Sequence, residues 1–244
     1  RIAVRTALVF AGEVEVDIRR FVAVKAEEGF KRDIMTIPVV IRTAFGAFLR
    51  RQIESGAIAA VEDELGAEAA DLARRCDVVF TGVGKLRAFE ATLAAMERHN
   101  YAAVVNVGTC GSLVHRAGTV LRPSVVWQGG LYLDSVFATE PERVESGDRD
   151  VSLVSVDSFI SPATPREELD VLARYDCFEM EGYAILRAIR FHASMHGGRM
   201  PYVAMIKGVS DNVDGTIEDW FVKLERVRPA LVEAADDVLA GLGV

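Results

Sequence analysis

The chain has 244 residues, of which 50% are hydrophobic, and its formal net charge at pH 7 is −8. This length fits one large domain with a sizeable core, and the acidic balance argues against a nucleic-acid surface. No apolar run approaches the ~20 residues of a membrane-spanning helix, and no signal peptide is expected, so a membrane partner is not predicted. Three cysteines without CxxC spacing favour a reducing, cytoplasmic location.

The first third of the chain predicts a strand followed by helices. Residues 2–10 have the pattern of a buried strand and residues 14–24 that of a helix. Residues 34–41 are apolar and β-branched, but Pro38 limits them to an edge strand or a loop. From 44 to 75 the composition shifts to Ala, Glu and Arg with helical periodicity. We interpret 44–75 as a helical insertion in a single domain that spans residues 1–244.

From residue 77 onward, strand-like and helical patterns alternate. The predicted strands are 77–80, 102–107, 120–128, 151–160, 177–180 and 201–209. The predicted helices are 85–99, 166–175, 182–196 and 216–242. Thr216 and Asp219 resemble a capping box at the start of the last helix. This alternation predicts an α/β fold with a largely parallel sheet, in which ligands gather at the carboxyl ends of strands.

Acidic residues stand at the ends of three apolar segments. Glu15 follows the first strand, Asp211 ends the strand in "IKGVSDNVD", and Glu179 and Glu181 lie inside "YDCFEMEGYAI". A buried carboxylate without a partner is costly, so such residues are usually paired, neutralised or used in chemistry. Each one alone fits a solvated charge at a helix start. Together, at three strand ends, they predict a site.

Two glycine-containing loops are weaker signals. "TGVGKL" at 81–86 looks like a phosphate loop but matches neither the Walker pattern nor the dinucleotide fingerprint. "GTCGS" at 108–112 follows a strand, so its backbone N–H groups could approach a ligand, although an ordinary tight turn would look the same. No organic cofactor is therefore predicted.

His192 and His196 lie four residues apart on a predicted helix, as metal ligands often do. The Glu of an HExxH motif is absent, and histidines near a helix C-terminus interact well with the helix dipole. The sequence therefore favours a structural role for both histidines, and no metal is predicted.

Five motifs, in this order, resemble the nucleoside phosphorylase and nucleosidase family, most of all its methylthioadenosine/S-adenosylhomocysteine nucleosidases. The motifs are "VGK" before an Ala-rich helix, "VVNVGTCGSL", "VSVDSFI", "FEMEGYAI" and "IKGVSDNVD". The resemblance implies a three-layer α/β/α fold around a twisted mixed sheet. It also implies a small-molecule purine nucleoside as ligand, no cofactor, and a homodimer or higher homo-oligomer.

The resemblance assigns catalytic roles to three carboxyl groups. Asp211 would protonate the purine at N7, Glu181 would hold the ribose hydroxyls, and Glu15 would activate water. Breaking an N-glycosidic bond needs such a pair, one group giving a proton to the base and another taking one from water. The further contacts that the resemblance implies are Phe159 and Ile160 at the base, Met180 at the sugar, Thr109 at the water or ribose, Ser210 beside the acid, Glu179 in support, Lys207 in place of an Arg, and Gly12 near the 5′ group.

The same family contains phosphorylases, which use phosphate instead of water. These carry an Arg two residues before the "GTCG" glycine, where this chain has Asn106, and an Arg in an N-terminal glycine loop, where this chain has "FAGEVEV". Phosphate binding depends on such charge-assisted pairs, so hydrolysis of a 5′-substituted adenine nucleoside is predicted. Arg87 or a distal Arg could still reach in, so phosphorolysis stays open. A non-catalytic nucleoside-binding protein of the same fold also stays open.

Overall fold

The computed structural model describes residues 5–10, 77–99, 101–130, 140–215 and 217–242. Nine strands in these residues form one sheet: β1 (Arg5–Phe10), β2 (Asp77–Phe80), β3 (Tyr101–Gly111), β4 (Val120–Leu121), β5 (Val125–Gln128), β6 (Glu142–Arg143), β7 (Ser152–Ser155), β8 (Cys177–Glu179) and β9 (Tyr202–Asp211). The helices of the described ranges are α1 (Lys85–Arg98), α2 (Arg166–Leu172), α3 (Gly182–Met195) and α4 (Ile217–Gly241). None of these helices is both long and apolar enough to span a bilayer.

The sheet is mixed, which confirms the α/β class and the mixed sheet that the resemblance implies, and most of its strand pairs are parallel, as the alternation predicts. Its main path runs β2-β1-β3-β8-β7-β5-β6, and β9 pairs with both β3 and β4. The pairs β1–β2, β1–β3, β3–β9, β5–β7 and β7–β8 are parallel. The pairs β3–β8, β4–β9 and β5–β6 are antiparallel.

Long apolar strands place the core around β3 and β9. These two strands pair in parallel from Ala103 to Gly111, and most of their residues are buried. Helix α4 lies very close to β9 at Gly208, where an added Cβ would lie 2.2 Å from Cγ1 of Val227. Helices α1 and α3 pack against each other, with the rings of Phe89 and Phe191 6.1 Å apart.

The predicted elements are confirmed in outline, and several boundaries are wrong. The "GTCG" segment, predicted as a loop after the strand, is the last part of β3, which continues to Gly111. The predicted strand 120–128 divides into β4 and β5 on either side of Pro123, whose nitrogen carries no hydrogen for a ladder bond. Of the predicted strand 151–160, only Ser152–Ser155 form a strand, which is β7. The short strand β6 was not predicted. Four predictions fall on residues outside the described ranges: the helix 14–24, the run 34–41, the insertion 44–75 and the Thr216 cap.

Candidate active site

Glu179 ends β8 in a dense set of hydrogen bonds. Its Oε2 atom accepts a bond from Nζ of Lys207 at 3.0 Å, and its Oε1 atom accepts one from Oγ of Ser155 at 2.6 Å. The backbone amides of Glu181 and Gly182 also donate to this carboxylate, at 3.1 and 2.9 Å. Lys207 is fully buried and Glu179 nearly so. Since buried charges persist only when paired and hydrogen-bonded, this pair serves to hold the start of α3 in place.

Glu181 is the residue that precedes α3, and it is fully buried. Its Oε1 atom accepts a hydrogen bond from the Gly84 amide at 2.7 Å, and its Oε2 atom accepts one from the Met180 amide at 3.0 Å. Its own carbonyl accepts the first helical bond from Ile185. The carboxylate is therefore oriented by two backbone amides, one from the preceding residue and one from a distant part of the chain.

The loop at residues 81–84 contacts this site through Gly84, which belongs to the "VGK" motif of the resemblance but was not predicted as a site residue. Besides the Gly84 bond to Glu181, the next residue, Lys85, donates from Nζ to the Gly129 carbonyl at 2.6 Å and to Asp157 at 2.9 Å. The glycine adopts a φ of +91°, which side chains rarely allow. The loop thus joins the carboxylate at α3 to the segment that carries Phe159.

Phe159 and Ile160 follow β7 in the segment that begins with Asp157. The ring of Phe159 is 41% exposed, whereas Ile160 is buried and packs with Leu172 and Phe178. A buried residue therefore anchors the chain next to an accessible aromatic ring. Such a ring can stack on a planar base.

Asp211 is the last residue of β9 and is partly buried. The register with β3 shifts here: Cys110 pairs with Val209 and Gly111 with Asp211, so Ser210 is the extra residue of a β-bulge. The Ser210 hydroxyl lies 3.3 Å from Oδ2 of Asp211, and the Val213 amide donates to Oδ1 at 2.9 Å. The bulge and these bonds set the direction of the carboxyl group.

The end of β3 lies between the two groups of acidic residues. Gly111 pairs with Asp211 of β9 on one side and with Phe178 of β8 on the other. Two strand spacings separate Asp211 from Phe178, which is about 10 Å between their Cα atoms. Thr109 lies on β3 two residues earlier, partly exposed, in register with Gly208. The β-bulge that carries Asp211 and the segment that carries Glu179 and Glu181 therefore lie on either side of the end of β3.

Asn106 lies at the position where the resemblance would place an Arg in a phosphorylase. It is fully buried in β3, in register with Met205, and within the described ranges neither amide atom has a hydrogen-bond partner. Two register positions further on, Gly108 pairs with Lys207, whose charge is already matched by Glu179. This part of the sheet therefore offers a neutral amide and a neutralised cation.

No protein-family model and no curated protein matches the sequence, whereas solved structures do share its fold. Futalosine hydrolase of Helicobacter pylori is 17% identical with a TM-score of 0.53, over 67% of this chain and 78% of that one. The 5′-methylthioadenosine nucleosidase of Arabidopsis thaliana is 23% identical with a TM-score of 0.54, over 68% and 76%. The 5′-methylthioadenosine/S-adenosylhomocysteine nucleosidase of Neisseria meningitidis, in complex with methylthio-immucillin-A, is 16% identical with a TM-score of 0.52, over 66% and 79%. The chain has the fold of these nucleosidases.

Within this nucleosidase fold, the sequence-predicted residues fall into two bonded groups. Glu179, Met180, Glu181 and Lys207 form one, and Ser210 and Asp211 form the other. Phe159 and Ile160 are tied to the first group through Lys85, and Thr109 stands on the strand between the groups. The predicted Gly12 and Glu15 lie outside the described residues.

Sequence reasoning missed Ser155, Gly84 and Lys85. The Ser155 hydroxyl donates to Glu179 and accepts a bond from the Tyr183 amide at 2.8 Å, so it joins β7 to both β8 and α3. The signal that could have indicated Ser155 is its place in "VSVDS", where it is the last residue of a β-strand. Gly84 and Lys85 belong to the "VGK" motif and to a loop that failed the known phosphate patterns, and neither signal gave them a role in the site.

Proposed function

We propose that this protein hydrolyses the N-glycosidic bond of a purine nucleoside, with a 5′-substituted adenine nucleoside as the expected substrate. The observation that carries the proposal is the pair formed by Glu181 and Asp211, one oriented before α3 and the other on a β-bulge across the end of β3. The fold supports it, because nucleosidases are built on this arrangement of strands and helices.

The reaction needs one proton donor at the base and a partner for the sugar. As the C1′–N9 bond breaks, positive charge grows on the sugar and negative charge on the base, and Asp211 transfers a proton to N7 of the purine. Glu181 accepts hydrogen bonds from the ribose hydroxyls, which strengthen as the sugar becomes cationic. Water forms the new C1′–O bond, and the predicted base Glu15 takes its proton.

The base would lie against Phe159, whose exposed ring offers a stacking face, while the buried Ile160 keeps the backbone beside it in place. Met180 would line the sugar and Thr109 the water or the ribose. Glu179 and Lys207 act through position, since they bind each other and the start of α3. The resemblance places a larger apolar residue near the 5′ group where this sequence has Gly12, and a glycine would supply less apolar wall there, so we infer a 5′ substituent other than methylthio as the preferred one.

Hydrolysis is favoured over phosphorolysis by the charges around β3. A phosphate dianion is usually held by Arg or Lys in charge-assisted bonds. Asn106 is neutral, and the buried cation in this region, Lys207, is bonded to Glu179 at 3.0 Å. Among the described residues this part of the sheet therefore supplies little positive charge for a dianion.

The deciding experiment measures release of free base from methylthioadenosine, S-adenosylhomocysteine, adenosine and inosine in phosphate-free buffer and in buffer with phosphate. We expect free adenine and the free sugar without phosphate. Asp211→Asn should abolish release, while Asp214→Asn, which changes an exposed carboxylate three residues away, should not. Product that appears only with phosphate, as the ribose 1-phosphate, would make the protein a phosphorylase. Tight binding of these nucleosides without turnover in either buffer would make it a binding protein.

A further inference from the structure

A cluster of three side chains joins the last turns of α1 and α3, and the proposed reaction does not use it. Glu97 is the penultimate residue of α1, His192 lies in the last turn of α3, and His196 follows the last residue of that helix. Nε2 of His196 lies 2.9 Å from Oε1 of Glu97, and Nε2 of His192 lies 3.8 Å from the same oxygen. The ligand atoms of all three lie within 4.8 Å of one another.

These separations suit a first coordination shell. A tetrahedral zinc ion with ligand distances near 2.0–2.1 Å requires ligand atoms to be about 3.3 Å apart. The two separations from Glu97 lie on either side of this value, and no pair of ligand atoms exceeds 4.8 Å. Side-chain movements of at most about 1.5 Å would therefore complete the shell. Two imidazoles and one carboxylate form a known set of three zinc ligands that leaves a fourth position for water.

Backbone geometry also favours a cation at this place. His196 is the C-cap residue of α3, and its amide closes the helix on the carbonyls of His192 and Ala193. Glu97 stands at the same end of α1. The C-terminus of a helix carries a partial negative charge, so two helix ends converge on the cluster with the sign that attracts a metal ion.

We propose that Glu97, His192 and His196 form a binding site for a divalent transition-metal ion, with Zn²⁺ as the expected occupant, that fastens α1 to α3. Imidazole nitrogen with one carboxylate oxygen selects ions such as zinc over magnesium and calcium, which prefer oxygen ligands. His192 supplies a buried, preset ligand, while the half-exposed Glu97 and His196 close the site from solvent.

This metal site is structural and separate from the carboxylates at the other end of α3. Glu181 precedes the first residue of α3 and His196 follows the last, and a helix of 14 residues is about 21 Å long. The ion therefore stands too far away to contact a nucleoside at Glu181. Its expected effect is on the stability of the α1–α3 pair.

The test uses untagged protein freed of metal by a chelator and titrated with Zn²⁺ in a calorimeter. We expect one equivalent to bind, and the melting temperature to rise by a few degrees in excess Zn²⁺. Glu97→Gln and His196→Gln change half-exposed residues and should fold normally. Each should weaken Zn²⁺ binding by at least about tenfold, because even the loss of a residue that only supports a ligand typically costs that much.

Matched controls separate this site from adventitious binding. Glu90→Gln alters an exposed carboxylate of α1, and His115→Gln alters a histidine bonded to Asp176. Both should leave affinity and the melting shift unchanged, and Co²⁺ should give ligand-field bands without a thiolate charge-transfer band. Absence of stoichiometric binding, equal loss in the control variants, unchanged binding in Glu97→Gln and His196→Gln, or a thiolate band would each overturn the proposal.

Discussion

Lys207 and Glu179 illustrate how two residues of the candidate site hold each other in place. Their charged groups lie 3.0 Å apart in the interior, and the carboxylate also accepts bonds from Ser155 and two backbone amides. Removing one member of such a pair leaves the other charged and desolvated. The pair therefore acts as one unit.

Lys207→Met should lower the free energy of unfolding by about 3–5 kcal/mol, because Glu179 would remain buried without its cation. The matched control is Lys223→Met, which breaks a more exposed bond to Asp214 and should cost less than about 1 kcal/mol. Urea unfolding measures both. The double variant Lys207→Met with Glu179→Gln should recover part of the loss, and equal effects of the two lysine variants would contradict this account.

Two carboxyl groups should respond differently to amide substitution. Asp211→Asn should reduce kcat by orders of magnitude with little change in ligand affinity, because it removes a proton delivered only in the transition state. Glu181→Gln should weaken binding as well as rate, since its carboxylate would hold the hydroxyls of the bound substrate too. Steady-state kinetics with calorimetry on a non-hydrolysable nucleoside separates these effects. Wild-type kinetics in either variant would mean that the site lies elsewhere.

At the scale of the elements, the end of β3 is the position where the candidate site is assembled. Its last residue, Gly111, pairs with strands on both sides, and an added Cβ would lie 2.3 Å from the Phe178 ring. The ring is buried with Val154 and Leu172, so it has little room to move. A glycine is needed here because β3 and β8 approach so closely.

Gly111→Ala should therefore displace Phe178 and lower the free energy of unfolding by about 1–3 kcal/mol, the usual cost of overpacking. Catalytic activity should fall with it, since Glu179 follows Phe178 directly. Gly241→Ala is the control, because an added Cβ at Gly241 meets no atom within 4 Å. Thermal unfolding compares the two, and equal melting temperatures would show that the sheet tolerates the methyl group.

Local patterns predicted most of the elements because alternation and helical periodicity are encoded in short windows. They placed α1, α3 and β9 nearly correctly. They failed where pairing between distant segments decides the structure, as at "GTCG", which is strand only because β9 and β8 pair with it. The two-residue β6 has no local signal at all.

The candidate site was likewise predictable in part: its acidic residues could be indicated from the sequence, and the bonds between distant segments could not. The resemblance indicated Glu181 and Asp211, and in the structure Asp211 ends β9 while Glu181 lies two residues beyond the end of β8. The bonds to Gly84, Lys85 and Ser155 could not be foreseen, because each joins segments far apart in the chain. Glu15, the single-domain organisation and the homo-oligomer remain predictions.

At the scale of the whole molecule, Asp176 ties together segments from three parts of the chain. Its carboxylate lies 2.8 Å from Nε2 of His115 and accepts bonds from the Ser152 amide and hydroxyl, also at 2.8 Å. Its carbonyl accepts a bond from the Ser112 hydroxyl. Burial raises the pKa of Asp176, but the bonds from His115 and Ser152 outweigh it and hold this pKa below its ordinary value of 3.8.

Because this folded-state pKa is lowered, the stabilisation by Asp176 is complete above pH 3.8 and is lost as the pH falls through the lower folded value. Asp176→Asn should cost about 1–3 kcal/mol near neutral pH, since the bonds to His115 and Ser152 lose their charged acceptor. The difference from wild type should shrink in acid. Urea unfolding at about pH 6 and about pH 3 tests this, with the exposed Asp170→Asn as control. A difference that does not change with pH would contradict it.

The amide of Gly84, held at 2.7 Å from Glu181, has a consequence for how a ligand is received. A carboxylate that two amides already orient has given up its rotational freedom when the chain folds, so the entropy of that ordering does not count against binding. In the proposed function, the incoming hydroxyls would share these oxygens with the amides. Substrate affinity would then depend on the strength of the Gly84–Glu181 bond, because a weaker bond leaves a more mobile acceptor and a stronger one competes with the sugar.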